Sequence, residues 1–202
     1  MAHYTGPKAR INRRLGAVIF ESAGAIKSFD RRPDAPPGMH LRRGKRSDYA
    51  LALAEKQKIK YYYGLGERQL RRYLNLAHGS ENSGGALLCL CERRLDNIVR
   101  RAGLTLTRPQ ARQGVAHGHF LVGGRKATAG SMLLRTGDVI DVRRRPNLAT
   151  WYRDLLEQRS SPLPDWLEVD DEMLRVRVLR LPGVDDVSLP VQVNLVIELL
   201  SR

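Results

Sequence analysis

The amino-acid sequence predicts an α+β protein. Segments between residues 47 and 118 carry apolar side chains at helical spacing, the runs after residue 119 are β-like and separated by turn residues, and residues 1–46 are rich in Gly, Pro and Arg. Pro33, Pro36, Pro37 and Gly38 break any helix, so residues 1–46 read as an extended basic arm with little core of its own. Ser47-Asp48 is a helix-start signal, and Leu51, Leu53, Ile59 and Tyr62 alternate with Lys56, Lys58 and Lys60 in a helix ending near Gly64. A second helix spans 67–77, with Leu70, Tyr73, Leu74 and Ala77 on one face, and residues 79–85 form a loop.

A third helix is expected over 86–102. Leu88, Cys91, Leu95, Ile98, Val99 and Ala102 make its apolar stripe; Arg93, Arg94, Asp96, Asn97, Arg100 and Arg101 take the other side, and Gly103 follows the end. Thr107 opens a short helix with Gln110 in the capping-box position and Pro109 in its first turn; it carries Arg108, Arg112 and Gln113 and ends at Gly118. Phe120 to Val122 lead into a Gly123-Gly124 hairpin turn, and Thr136-Gly137-Asp138 turns the chain before 139–142. Residues 148–159 are helical, 166–169 and 174–181 read as strands, and 191–200 as a closing helix or strand. No internal repeat is found.

The 202 residues carry 35 Lys and Arg against 21 Asp and Glu, a net charge of +14 that calls for an anionic partner. Residues 1–46 and 87–145 each hold +8, 47–86 hold +2 and 146–202 hold −4. Two separated basic blocks fit a polyanion that wraps the protein better than a membrane surface, which favours one amphipathic tract. No apolar run approaches the ~20 residues of a bilayer span, and the basic start is not followed by the apolar stretch of a secretory signal. The two cysteines, Cys89 and Cys91, read as reduced core thiols of a cytoplasmic chain.

The chemistry these residues offer is phosphate binding. Arg93, Arg94, Arg100, Arg101, Arg108, Arg112, Arg125 and Lys126 form a basic face, joined by Gln113 and His117, and the helix start at Thr107 adds backbone donors. Lys8, Arg10, Arg13, Arg14, Arg42, Arg43, Lys45 and Arg46 form a second set in the arm, and Arg71 and Arg72 extend it on the 67–77 helix. Aromatic residues are only 6%, so a broad platform for stacking bases is not expected. His117 and His119 without nearby Cys or acid partners are a weak metal signal, and no phosphate loop or nucleophile–base set can be argued from spacing. The acidic stretch from Asp165 to Glu172, with Asp185 and Asp186, would repel a polyanion and suits a basic neighbouring protein or solvent.

Residues 94–143 (RLDNIVRRAGLTLTRPQARQGVAHGHFLVGGRKATAGSMLLRTGDVIDVR) resemble the RNA-binding module named after small-subunit ribosomal protein S four. Tyr4-Thr5-Gly6-Pro7-Lys8, the 37–64 stretch PGMHLRRGKRSDYALALAEKQKIKYYYG and the 162–170 stretch PLPDWLEVD extend the likeness to the full-length bacterial family. The resemblance implies a helical domain over 47–92 closed by the C-terminal segment (about 189–202). Over 93–188 it implies an RNA-binding module of helices packed on a twisted antiparallel sheet, and it leaves 1–46 as the basic arm. It implies a non-enzymatic constituent of the cytoplasmic ribosome: a primary 16S rRNA binder that nucleates 5′-domain assembly, lies beside ribosomal protein S five and other small-subunit proteins, influences decoding accuracy and lines the channel by which mRNA enters.

Many relatives hold structural zinc through four cysteines in the arm. Here the first two such positions are Ala9 and Asn12, residues 1–46 contain no cysteine, and His3 and His40 cannot supply a tetrahedral set, so no zinc and no other cofactor is expected. Gly123 stands where relatives usually have Asn, and still permits the turn; Leu41 stands where they usually have Gly. Arg94-Leu95-Asp96 is similar to the signature of pseudouridine synthases, which makes an RNA-modifying enzyme with Asp96 as nucleophile the alternative. The ~60 residues after the module are too few for that catalytic domain, and Asp96 can pair with Arg93 or Arg100 on its helix.

Overall fold

The computed structural model describes residues 4–32, 35–39, 44–159 and 162–201. In chain order its elements are α1 (Lys8–Leu15), α2 (Ala23–Arg31), α3 (Asp48–Tyr62), α4 (Glu67–Ala77), α5 (Ser83–Glu92), α6 (Leu95–Arg101), α7 (Arg108–Ala116), β1 (Phe120–Val122), β2 (Arg125–Ala127), β3 (Val139–Val142), α8 (Pro146–Glu157), β4 (Leu167–Asp170), β5 (Arg175–Val178) and α9 (Val193–Ser201). They divide into two compact units: Met1–Leu87 with Ser188–Arg202, and Leu88–Val187.

In the first unit Ser47 caps α3 as the sequence predicts, its hydroxyl accepting from the Ala50 N–H at 3.3 Å. Leu70, Tyr73, Leu74 and Ala77 are the buried face of α4. Lys56 and Lys60 of α3 both donate to the Glu67 carboxylate at 2.9 and 3.2 Å, and the Lys56 bond, followed by that from Lys60, holds Glu67 below the ordinary carboxylate range. The lysines of α3 are thus largely engaged within the fold, Lys58 pairing with Glu55 at 2.6 Å. The closing segment is a helix: α9 packs on α3, the Gln192 N–H donates to Glu55 at 3.0 Å, and the Tyr62 and Ser188 hydroxyls share a 2.7 Å hydrogen bond. Gly84 lets α9 approach closely, because a Cβ there would meet Val193 at 2.8 Å.

The N-terminal segment corrects the expectation of an extended arm. Its described part folds into α1 and α2 and buries Ile11, Leu15, Ile19, Phe20 and Ala25. Two devices invisible to composition make this possible. The first is Asn12, fully buried: its side-chain oxygen accepts from the Ile19 and Phe20 N–H groups at 3.1 and 2.9 Å, and its amide donates to the Phe20 carbonyl at 3.0 Å. The second is the Phe20 ring, which meets Tyr4 at 5.9 Å and Tyr61 of α3 at 6.2 Å. Gly16 ends α1 at φ 70°, the left-handed conformation that closes the helix toward Asn12.

The second unit is a five-stranded antiparallel sheet of order β2-β1-β3-β5-β4 covered by helices. Gly123 and Gly124 at φ 55° and 78° make the β1–β2 turn, as a two-residue hairpin of right-handed twist requires. Ile140 and Val142 of β3 and Val176 and Val178 of β5 face a core that includes Phe120, Tyr152 and Trp166. Cys91 is buried and Cys89 partly so, and burial pushes both thiols up, which keeps them protonated.

The single helix expected over 86–102 is two. Arg94 is extended (φ −68°, ψ 139°) because the backbone there leaves the helical pattern for residues 130–134. Leu95 and Asp96 donate to the Met132 and Gly130 carbonyls at 2.8 and 3.2 Å, and Leu134 donates to Arg93 at 3.0 Å. The stretch read as a loop to residue 85 is already helical from Ser83.

Candidate nucleic-acid interface

Two carboxylates lie inside the second unit where α5 ends and α6 begins, Glu92 with no exposure and Asp96 at 5%. Buried charge must be paired, and arginines do it. Arg94, itself fully buried, forks onto Asp96 at 2.9 and 2.6 Å, and Arg112 of α7 approaches the same carboxylate at 3.3 Å. The Asn97 amide donates to Glu92 at 2.7 Å while its oxygen accepts from Arg108 at 2.9 Å. Arg101 stands 3.7 Å from Glu92 and donates to the Asp186 carbonyl at 2.9 Å. Arg108 and Arg112, four residues apart on α7, are therefore both anchored to the start of α6.

This arrangement corrects part of the basic face. Arg94 is a core residue and cannot reach RNA. Asp96 pairs with Arg94 and Arg112, and its carboxylate is enclosed and engaged, unsuited to nucleophilic chemistry. Arg93 is half-buried, donating to the Leu134 carbonyl at 3.1 Å, and Arg100 is half-buried. What remains at the surface is Gln113 and His117 from α7 and its end, and Arg125 and Lys126 from the hairpin. Thr107 caps α7 through the Gln110 N–H at 3.4 Å, while the Gln110 side chain accepts from Leu106 at 3.0 Å. Lys126 lies against Gly118, bringing the hairpin and the end of α7 together.

Sequence reasoning passed over Arg144 and Arg145, both exposed where the chain leaves β3. The signal was present as a run of three arginines directly after an apolar strand. Arg143 is half-buried, its guanidinium donating to the Gly118 carbonyl at 3.5 Å and its backbone N–H to the His119 carbonyl at 2.8 Å. His119 shares a 3.1 Å hydrogen bond with the Tyr152 hydroxyl. Burial first, then His117, Arg145 and Arg143, hold His119 below the ordinary histidine range, so it is neutral at physiological pH.

In the first unit Arg10, Arg14, Lys45, Arg71 and Arg72 are exposed. Arg13 donates to the Ala35 and Pro36 carbonyls at 3.2 and 2.8 Å, Arg46 donates to the Arg14 carbonyl at 3.1 Å, and Lys8 sits over the Phe20 ring at 5.9 Å, so these help hold the fold. Arg42 and Arg43 lie outside the described residues, as do Leu41, His3 and His40. Among the described residues no group of three or more His, Cys, Asp or Glu is placed to hold a metal.

A helix–turn–helix–hairpin surface whose arginines are pre-positioned by buried carboxylates defines an RNA-binding module, and comparison with known proteins agrees. Residues 93–140 match the family model described as the S4 domain, and residues 3–92 match that of the ribosomal protein S4/S9 N-terminal domain. Proteins named small ribosomal subunit protein uS4 match along the whole of both chains: that of Rhodopirellula baltica is 59% identical over 203 residues, that of Cutibacterium acnes 45% over 208 and that of Persephonella marina 43% over 208. The chain belongs to the uS4 family of small ribosomal subunit proteins, structural constituents of the ribosome and not enzymes.

Separating structural from surface arginines has a measurable consequence. Arg94→Gln leaves a buried carboxylate short of its main partner and is expected to destabilise the second unit by about 3 kcal/mol. Arg125→Gln is expected to change stability by less than about 0.5 kcal/mol. Urea unfolding of the two variants checks the contrast.

Proposed function

We propose that this protein is a primary 16S rRNA-binding protein that nucleates assembly of the 5′ domain, with a further part in decoding accuracy and in the channel by which mRNA enters. Family membership supports the ribosomal setting, and the exposed cations on a rigid α6–α7–hairpin frame are the observation that carries RNA binding. Gln113, His117, Arg125, Lys126, Arg144 and Arg145 are its phosphate- and sugar-contacting residues in the second unit, together with the half-buried Arg100, Arg108 and Arg112. Arg10, Arg14, Lys45, Arg71 and Arg72 serve in the first. Ribosomal protein S five and other small-subunit proteins are its protein neighbours, and the cytoplasm its compartment. No helix among the described residues is long and apolar enough to cross a membrane.

The N-terminal unit works without zinc in this reading. Ala9 offers no ligand, and the Asn12 side chain is consumed by its three hydrogen bonds to the backbone at residues 19 and 20. Asn12 itself closes the loop between residues 12 and 20 with hydrogen bonds.

Two measurements test these statements. Binding to the 16S 5′-domain fragment should remain selective over a size-matched unrelated duplex at physiological salt; equal affinity for both, collapsing together as salt rises, would reduce the protein to a polycation. Unfolding of the protein should be indifferent to a metal chelator, whereas Asn12→Ala should cost about 2–3 kcal/mol, because buried backbone groups lose their partners.

A further inference from the structure

Of the two tryptophans, Trp166 is fully buried, whereas Trp151 on α8 is 40% exposed. Part of the Trp151 surface therefore stays in contact with solvent, and its surroundings matter. Tyr152 meets it at 4.7 Å and His119 at 6.5 Å, with interplanar angles of 65° and 88°, so both rings brace it edge-on. Among the described residues no ring stacks parallel to it. His117 continues the cluster, 5.7 Å from His119 and exposed.

Charge identifies the occupant. Arg143 is tied to the His119 backbone, Arg143 and Arg145 lie close enough to depress His119 electrostatically, and Arg144 and Arg145 are exposed. An exposed π surface on the helix that directly follows exposed Arg144 and Arg145 suits a nucleotide, whose base has a flat face and whose phosphate is anionic; it suits a basic protein poorly. The whole-chain scarcity of aromatics argues against a platform for many bases but not against a seat for one.

We propose that Trp151, braced by His119 and Tyr152 on the helix that follows exposed Arg144 and Arg145, is the stacking site for one unpaired base of the rRNA that this unit binds. The site rests on the rRNA-binding reading above and adds to it a single-base contact.

The test uses the intrinsic emission of the full-length protein during titration with the 16S 5′-domain fragment at physiological salt. Stacking quenches Trp151, so emission falls on binding in the natural protein and does not fall in Trp151→Phe, where only buried Trp166 emits. Trp151→Ala is expected to weaken binding by roughly 5- to 150-fold, the range that loss of one stacked base gives. Its retained Trp166 emission shows that the core is intact. Selective rRNA binding with unquenched Trp151 and unchanged affinity in Trp151→Ala overturns the stacking site, leaving the patch to a neighbouring protein and the rRNA reading intact. Failure of the natural protein to bind selectively overturns that reading, and the site with it.

Discussion

Two carboxylates buried at the junction of α5 and α6 set the terms for the surface around them. Glu92 and Asp96 sit where desolvation of an unpaired charge would be severely unfavourable, and Arg94, Arg101, Asn97 and Arg112 answer them. Because Arg108 and Arg112 reach inward from α7 to Asn97 and Asp96, the two helices are locked in one mutual geometry. The main chain takes part: Leu95 and Asp96 bond to the 130–134 segment, and Gly130 is so close that a Cβ would meet the Asp96 carboxylate at 3.0 Å. An interface for phosphates gains from such preorganisation, since fewer side-chain rotamers remain to be ordered on binding.

The same logic distributes charge elsewhere. The acidic C-terminal stretch is less negative at the surface than its composition suggests. Glu168 and Asp170 of β4 stand opposite Arg177 and Arg175 of β5, and Arg175 also donates to Asp141 of β3 at 2.7 Å. Asp186 accepts from Arg180 at 2.6 Å and from the Gly183 N–H at 2.7 Å; the Arg180 bond, with help from Gly183, holds it below the ordinary carboxylate range. Much of this stretch is thus balanced within its own unit.

How much of this was legible in the sequence depended on the range of the interactions involved. The caps at Ser47 and Thr107, the buried face of α4 and the Gly123-Gly124 hairpin are local, and they appear where residue type and spacing put them. The break at Arg94 was hidden because it is made by backbone partners some forty positions away, while the apolar stripe runs unbroken across it. The order in residues 4–32 was hidden because it hangs on one asparagine and one phenylalanine rather than on a count of apolar residues. For the site, the sequence placed the cations in the right module but could not separate Arg94, which serves the core, from Arg125, which serves the surface. An arginine beside an aspartate reads the same in either role. Trp151 was overlooked for a related reason: helical spacing says nothing about which of two adjacent aromatics stays in water.

Inner and outer arginines divide their labour, and the salt dependence of rRNA binding reads that division directly. Each phosphate contact contributes about 0.7 to 0.9 to the slope of log affinity against log salt. Measured on folded protein, Arg125→Gln should lower that slope by about one, whereas Arg94→Gln should leave it unchanged while shifting stability. Equal loss of slope in the two variants would mean that Arg94 reaches phosphate and that the inner and outer arginines do not differ in role.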